Sequence, residues 1–221
     1  SPMIFTAKKS LGQNFLQDQE VSRWIADQIQ PDDAPFVVEI GPGQGALTHY
    51  LQGRAKHLVL VEKDDKLVEL VKSKFGHLAG VEVHHADAIR FDLRSFYAEQ
   101  PVKVLGALPY SCGTEIIRNV MSHPSPACRA VFTLQKEVCL KLSAKPHDHL
   151  YGLLTLRSQA WWDIAYLREL PPDIFVPRPA VDSGVIAMTP RPRAGFPVFE
   201  EKLFDRLLSH GFSQRRGSSA R

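Results

Sequence analysis

Val37-Val38-Glu39-Ile40-Gly41-Pro42-Gly43-Gln44-Gly45-Ala46-Leu47-Thr48 decides how the rest of the chain is read. A short apolar run ends in an acid and breaks into three glycines, and a helix-compatible segment follows. The pattern predicts a buried strand, a tight turn and a helix start. Glycine tolerates left-handed backbone and lets the main chain approach a ligand closely. A helix N-terminus there adds unpaired N–H groups and the positive end of a dipole. Gly41, Gly43 and Ala46 fit the dinucleotide fingerprint G-x-G-x-x-A. Glu62 follows at about the ~20-residue spacing expected of a ribose-binding acid. The turn therefore predicts an adenosine-type cofactor at the carboxyl ends of a parallel sheet. By itself it does not separate NAD from S-adenosylmethionine.

The flanking sequence extends the pattern. Leu58-Val59-Leu60-Val61-Glu62 is a second buried strand ending in an acid, and Asp65 opens a helix through Leu67, Val68, Leu70 and Val71 to Phe75. Val81-Glu82-Val83-His84 is a third strand, followed by Ala86-Asp87-Ala88. Lys103 to Gly106 is a fourth, left by Ala107-Leu108-Pro109-Tyr110. A helix over 113–121, a strand over 129–134 and helices over 135–142 and 150–160 come next. Strands over 164–170 and 185–188 read as an antiparallel pair at one sheet edge. Upstream, Asp18 caps a helix carrying Val21, Trp24, Ile25 and Ile29, which Pro31 to Pro35 stop; residues 1–17 show no clear period. Alternating strands and helices predict an α/β, Rossmann-like, doubly wound, mostly parallel sheet. That domain is expected over 1–190. Residues 191–221 read as a linker, a short amphipathic helix with Phe199, Leu203, Leu207 and Leu208, and an irregular tail.

Composition is that of an ordinary globular protein, with 44% hydrophobic residues in 221. No apolar run approaches the ~18 residues of a membrane helix, and the N-terminus lacks the apolar centre of a secretory signal. Cys112, Cys128 and Cys139 form no CxxC pair and read as free thiols of a reducing compartment, so the expected location is the cytoplasm. Net charge is +3; seven basic and three acidic residues between Arg191 and Arg221 account for +4, leaving −1 for the rest. A basic end on a near-neutral body points to a polyanionic partner, or to a solvated charged tail.

Three strand ends carry polar residues: the glycine turn, Glu62 and Asp87. In a doubly wound sheet they share one rim. An ionised Glu62 can accept from both ribose hydroxyls, and Asp87 can accept from an adenine amino group. The fourth strand end is more specific. Asn-Leu-Pro-Tyr, or Asp/Asn/Ser-Pro-Pro-Tyr, marks enzymes that methylate an exocyclic amino nitrogen. There the proline holds the turn, the aromatic stacks on the base, and oxygens accept the amino hydrogens. Here the tetrapeptide is Ala107-Leu108-Pro109-Tyr110, and the side-chain oxygen is missing.

On these residues the chain resembles the small-subunit ribosomal RNA adenine dimethyltransferases of the KsgA type. The matching pieces run in family order: Gln13-Asn14-Phe15-Leu16, Glu39 to Gly45, Val61 to Asp64, Asp87-Ala88, Leu108-Pro109-Tyr110, Leu134 to Val138, Tyr151-Gly152, the stretch from Phe175 to Ser183, and Phe212 to Arg216. The resemblance implies a class I methyltransferase that uses S-adenosylmethionine on small-subunit ribosomal RNA or a pre-ribosomal small subunit, working as a monomer away from membranes. It implies that Asn14 and Leu16 close over the cofactor and that Gly41 and Gly43 pass its methionine part. Glu62, beside Lys63, takes the ribose; Asp87 and Ala88 take the adenine. Position 107 touches both cofactor and target, beside Leu108 and Pro109, and Tyr110 and Phe175 sandwich the flipped base. Two departures stand out. The family has Asn where this chain has Ala107, which predicts impaired methyl transfer and reads as an engineered change. The family also continues past Phe212 to Arg216 into a helical subdomain, so a truncated helical appendage is expected. The large-subunit RNA methylases of macrolide resistance, a noncatalytic ribosome-assembly factor and an NAD-dependent oxidoreductase are the alternatives.

Other features read more simply. Phe175 could be a core plug, Tyr110 a packing residue and Lys8-Lys9 a solvated pair. Cys112 has no neighbouring base. His84-His85 and His147-x-His149 lack a third ligand, so no metal is expected. Trp161-Trp162 reads as a strand or interface anchor.

Overall fold

The computed structural model describes residues 13–30, 36–99 and 102–192. Lys8-Lys9, the stretch from Pro31 to Pro35 and residues 193–221 lie outside the described residues.

Seven strands form the central sheet in the order β4-β3-β2-β5-β6-β9-β7. They are β2 (Phe36–Ile40), β3 (His57–Glu62), β4 (Val81–His85), β5 (Val102–Ala107), β6 (Ala127–Gln135), β7 (Trp162–Leu170) and β9 (Ser183–Pro190). β2 pairs in parallel with β3 and β5, β3 with β4, and β5 with β6. β9 runs antiparallel to both β6 and β7. The expected antiparallel pair is therefore present at the edge, with β9 inserted between β6 and β7. β2 is buried on both faces along its whole length, which is why it reads as an apolar run without alternation.

The helices follow their caps. Asp18 accepts the N–H of Val21 at the start of α1 (Gln19–Asp27), and Asp64 accepts those of Lys66 and Leu67 at the start of α3 (Asp65–Phe75). α4 (Gly113–Met121), α5 (Lys136–Leu142) and α6 (Leu153–Gln159) complete the set with α2 (Thr48–Leu51). α2 has only four residues, a short piece of the helix expected after the glycine turn. The glycine segment stays in a turn up to Leu47, with the N–H of Gly45 bonded to Pro42 O (2.8 Å). Two-residue strands β1 (Phe15–Leu16) and β8 (Phe175–Val176) pair antiparallel as a separate sheet. Neither has the length to show a period, so pattern reading passes over both. Apolar side chains fill both faces of the main sheet, Phe132 and Ile186 on one and Leu60, Leu105 and Val185 on the other. Trp162 opens β7 as a buried anchor, donating its indole N–H to Met121 O (3.0 Å).

The turn admits glycine for a packing reason. Gly45 has φ +89°, and a Cβ there would lie 2.6 Å from the Phe75 ring. Left-handed backbone disfavours a side chain by roughly 1–2 kcal/mol, and overpacking adds about 1–3 kcal/mol. Gly45→Ala is expected to destabilise the protein by about 2–5 kcal/mol in urea unfolding followed by circular dichroism; an unchanged midpoint would show that the turn adapts freely.

Candidate active site

The carboxyl ends of β2, β3 and β5 converge on a cavity of about 300 Å³. The glycine turn forms its floor. Gly41 (φ +67°) donates its N–H to Val61 O (2.8 Å), crossing from β2 to β3. Gly43 (φ +58°) lies under the Phe15 ring, where a Cβ would be 3.1 Å from two ring carbons. The β1–β8 pair thus seats Phe15 over the turn and brings Phe175 to the same cavity.

Glu62 holds this arrangement together. Its Oε1 accepts the N–H of Gly43 (3.1 Å) and its Oε2 accepts the N–H of Asp64 (3.0 Å). Burial pushes the carboxyl up from its ordinary value, and the N–H groups of Asp64, Gly43 and Lys63 oppose that. Each oxygen retains a further lone pair for a ligand. Glu39, at 1% exposure, accepts the Thr48 hydroxyl at 2.5 Å. Its carboxyl is pushed up to about 8 by burial, against the Thr48 hydrogen bond and with help from Glu62.

The electrostatics separate the two cofactors left open by the glycine pattern. Glu39, Glu62 and Asp64 all line the cavity, with Lys63 the neighbouring cation. The carboxylates of Glu62 and Asp64 at this rim would repel a pyrophosphate, and a four-residue α2 offers little dipole to offset them. The same set suits a ligand with hydroxyls for Glu62 and a positive centre of its own.

The predicted residues assemble unevenly. Asn14, Leu16, Gly41, Gly43, Glu62 and Lys63 line the cavity, as do Ala107, Leu108, Pro109, Tyr110 and Phe175. Asp87 and Ala88 do not; their neighbour Ile89 does. Asp87 stands outside the wall, where Oδ1 accepts the N–H of Ile89 (3.0 Å) and Oδ2 is 3.4 Å from Lys63 Nζ. Ala88 is buried, and its carbonyl accepts from Asn119 Nδ2 (2.8 Å), which also donates to Phe91 O (2.7 Å). Asn119 on α4 therefore braces the loop that carries Asp87 and Ile89. No sequence pattern marks it, because the contact spans 31 residues.

Tyr110 hydrogen-bonds through its hydroxyl to Ser183 Oγ at the start of β9. Burial raises its phenol above the usual value, with the Ser183 bond opposing. The ring forms cavity wall. Phe175, at 4% exposure, is both a plug in the sheet-side core and a wall of the cavity. The first turn and the fourth strand end are in contact range: a Cβ on Gly41 would lie 3.7 Å from Ala107 O. Among the described residues Cys112, Cys128 and Cys139 are free thiols, and no cluster of His, Cys, Asp and Glu could hold a metal. No described helix is long and apolar enough to cross a membrane.

Residues 4–219 match the family model described as "Ribosomal RNA adenine dimethylase". The chain belongs to that family. "Ribosomal RNA small subunit methyltransferase A" of Marinomonas sp. is 38% identical over 211 residues, covering 95% of this chain and 79% of the relative. The protein of the same name from Chromobacterium violaceum is 38% identical over 210 residues with the same coverage. Among solved structures, a dimethyladenosine transferase from Plasmodium falciparum superposes with a TM-score of 0.77 at 25% identity, covering 90% of this chain and 70% of that one. The 23S rRNA methyltransferase ErmE shares the fold, with a TM-score of 0.75 at 23% identity over 89% of this chain and 78% of its own. As a ribosomal RNA adenine dimethylase family member, the chain is an S-adenosylmethionine-dependent methyltransferase with a class I fold. The acidic cavity suits that cofactor, whose sulfonium and amino groups are cationic.

Glu39 gives the site a pH signature. Its folded-state value of about 8 lies above the ordinary 4.5, so the folded chain holds a proton that the unfolded chain releases between those values. Stability therefore falls as pH rises through this window. Glu39→Gln removes the titration. Urea unfolding at pH 5 and pH 8 is expected to show the variant gaining on the wild type by a few kcal/mol at the higher pH. A gap that stays constant with pH would sink the burial argument.

Proposed function

We propose that this chain transfers methyl groups to the N6 amino group of two adjacent adenines in small-subunit ribosomal RNA. The family assignment supplies the reaction class. The observation that carries the substrate is the meeting of the glycine turn with Ala107-Leu108-Pro109-Tyr110 and Phe175 in one cavity. A cofactor end spans β2, β3 and β4; a target end spans β5, β6 and β9.

Glu62 takes the ribose hydroxyls, Gly41, Gly43, Asn14 and Leu16 bound the methionine part, and Asp87 with Ala88 serves the adenine end once the ligand spans the rim. Bound S-adenosylmethionine would supply an electrophilic methyl on a positively charged sulfur that departs as a neutral thioether, and the amino nitrogen's proton would pass to water. The residues of the chain orient rather than ionise. Tyr110 and Phe175 stack on the extruded base at about 1–3 kcal/mol per base, which offsets unstacking of a few kcal/mol. Pro109 fixes the turn that presents the amino nitrogen to the cofactor side. Alignment of this kind substitutes for a strong base, because the leaving group already carries the charge.

RNA with splayed loop bases is the suitable substrate form. A cytoplasmic monomer acting away from membranes, with 1–190 as catalytic domain and 191–221 as its helical appendage, completes the reading. Its support is the continuity of the sheet up to Pro190.

Ala107 leaves the target end without the side-chain acceptor that the family resemblance places there. A preorganised hydrogen-bonding group in a catalytic site is worth about 10²–10³ in rate. Ala107→Asn is expected to raise tritiated methyl incorporation into small subunits by about 10²-fold, with large subunits unmodified. Equal or better labelling of large subunits would move the chain to the macrolide-resistance type. No labelling of either subunit by either protein, with intact binding to pre-ribosomes, would make it an assembly factor.

A further inference from the structure

Thr133 lies on β6 as the Cα partner of Ala107 in the parallel β5–β6 ladder. Its carbonyl accepts the N–H of Leu108 (2.9 Å), which fixes the start of the Leu108-Pro109-Tyr110 turn. Its side chain is differently placed. Thr133 is 4% exposed and lines the cavity, and its Oγ1 is buried with no hydrogen-bond partner among the described residues. Buried polar groups are nearly always paired, and an unpaired one destabilises the fold that contains it. Tyr166 also has a buried hydroxyl without a partner, but it belongs to edge strand β7 and does not line the cavity.

The strand order sets this hydroxyl apart from the acids of the first rim. On the proposed reading the cofactor end lies beside β2 and β3, which the strand order sets on the other side of β5 from β6. β6 belongs with Tyr110, Ser183 and Phe175 on the target side. One strand spacing, about 4.8 Å, separates the backbones at 107 and 133. An amino group presented at the ends of these two strands is in reach of acceptors on either.

We infer that Thr133 Oγ1 accepts one hydrogen of the exocyclic amino group of the target adenine, the other hydrogen falling to position 107. The inference rests on the methyl-transfer reading of this site. An amino group has two hydrogens: Thr133 takes one, and position 107, whose carbonyl lies towards Gly41, takes the other, more strongly with an Asn amide oxygen there. With both engaged, the nitrogen lone pair is freed towards the cofactor end. No proton passes to Thr133; it positions the nucleophile. The buried hydroxyl is then a site held ready for the substrate, at the expense of the free protein.

Thr133→Val keeps the shape and removes the hydroxyl; Thr133→Ser keeps the hydroxyl. Single-turnover transfer of tritiated methyl to small subunits is measured for wild type and both variants, alone and on Ala107→Asn, where a larger rate is expected. Cofactor affinity is read by calorimetry and stability by thermal unfolding. Thr133→Val is expected to slow transfer about tenfold, in line with one neutral hydrogen bond. Its cofactor affinity should stay within about twofold and its melting temperature should equal or exceed the wild type, since no paired group is lost. Thr133→Ser should transfer within about threefold of wild type. Wild-type rates from Thr133→Val on both backgrounds would overturn the role of Thr133 alone. Slow transfer with an equally slow Thr133→Ser, or with lost cofactor affinity, would also overturn it, by making the position a packing residue. A chain that labels neither subunit on either background would overturn the reading of the site and the role of Thr133 with it.

Discussion

Everything at the rim depends on the grip of one carboxylate on two main-chain N–H groups. Glu62 closes the end of β3 against both the glycine turn, through Gly43, and the start of α3, through Asp64. Those two contacts fix three segments with a single side chain. Because Gly43 is held in left-handed backbone under Phe15, the β1–β8 pair is positioned by the same contact. Phe175 then reaches the cavity from a segment more than a hundred residues away in the chain. A lost clasp would leave the turn free to swing and the buried acids without donors.

The clasp also sets the charge of the site. A phosphate cradle needs N–H groups turned to an anion, and here two of them are committed to Glu62. Glu39 is buried behind it and holds a proton near neutral pH because burial opposes its ionisation. A neutral Glu39 spares Glu62 a second negative charge beside it. The site is thus arranged for a nucleoside that carries its own positive centre, and the family assignment agrees with that chemistry.

Much of this was legible in the chain. The strands flanking Gly41 and ending at Glu62 show as apolar runs because they are buried on both faces. Asp18 announces α1 because capping needs only local contacts, and α3 opens at Asp65 as read, with the preceding Asp64 as its cap. The length of α2 was not legible: the residues after Gly45 suit a helix, but Glu39 draws the Thr48 hydroxyl inward and the turn runs on to Leu47. β1 and β8 were missed because two residues carry no period. Asp87 follows β4 as its strand end implies, and its own turn and Lys63 hold its carboxylate outside the cavity, which no local pattern shows.

The sequence by itself determined the fold class, the glycine turn and the acid that follows it, since each depends on neighbours within a few residues or on burial that repeats along a strand. Only the tertiary structure decided which groups share the cavity. Thr133 and Asn119 are ordinary residues in ordinary elements, and nothing in their surroundings along the chain distinguishes them. They acquire meaning because parallel pairing sets β6 beside β5 at Ala107, and because α4 packs beneath the loop after β4. Contacts of that kind are fixed by the packing of distant segments, and no local pattern encodes them.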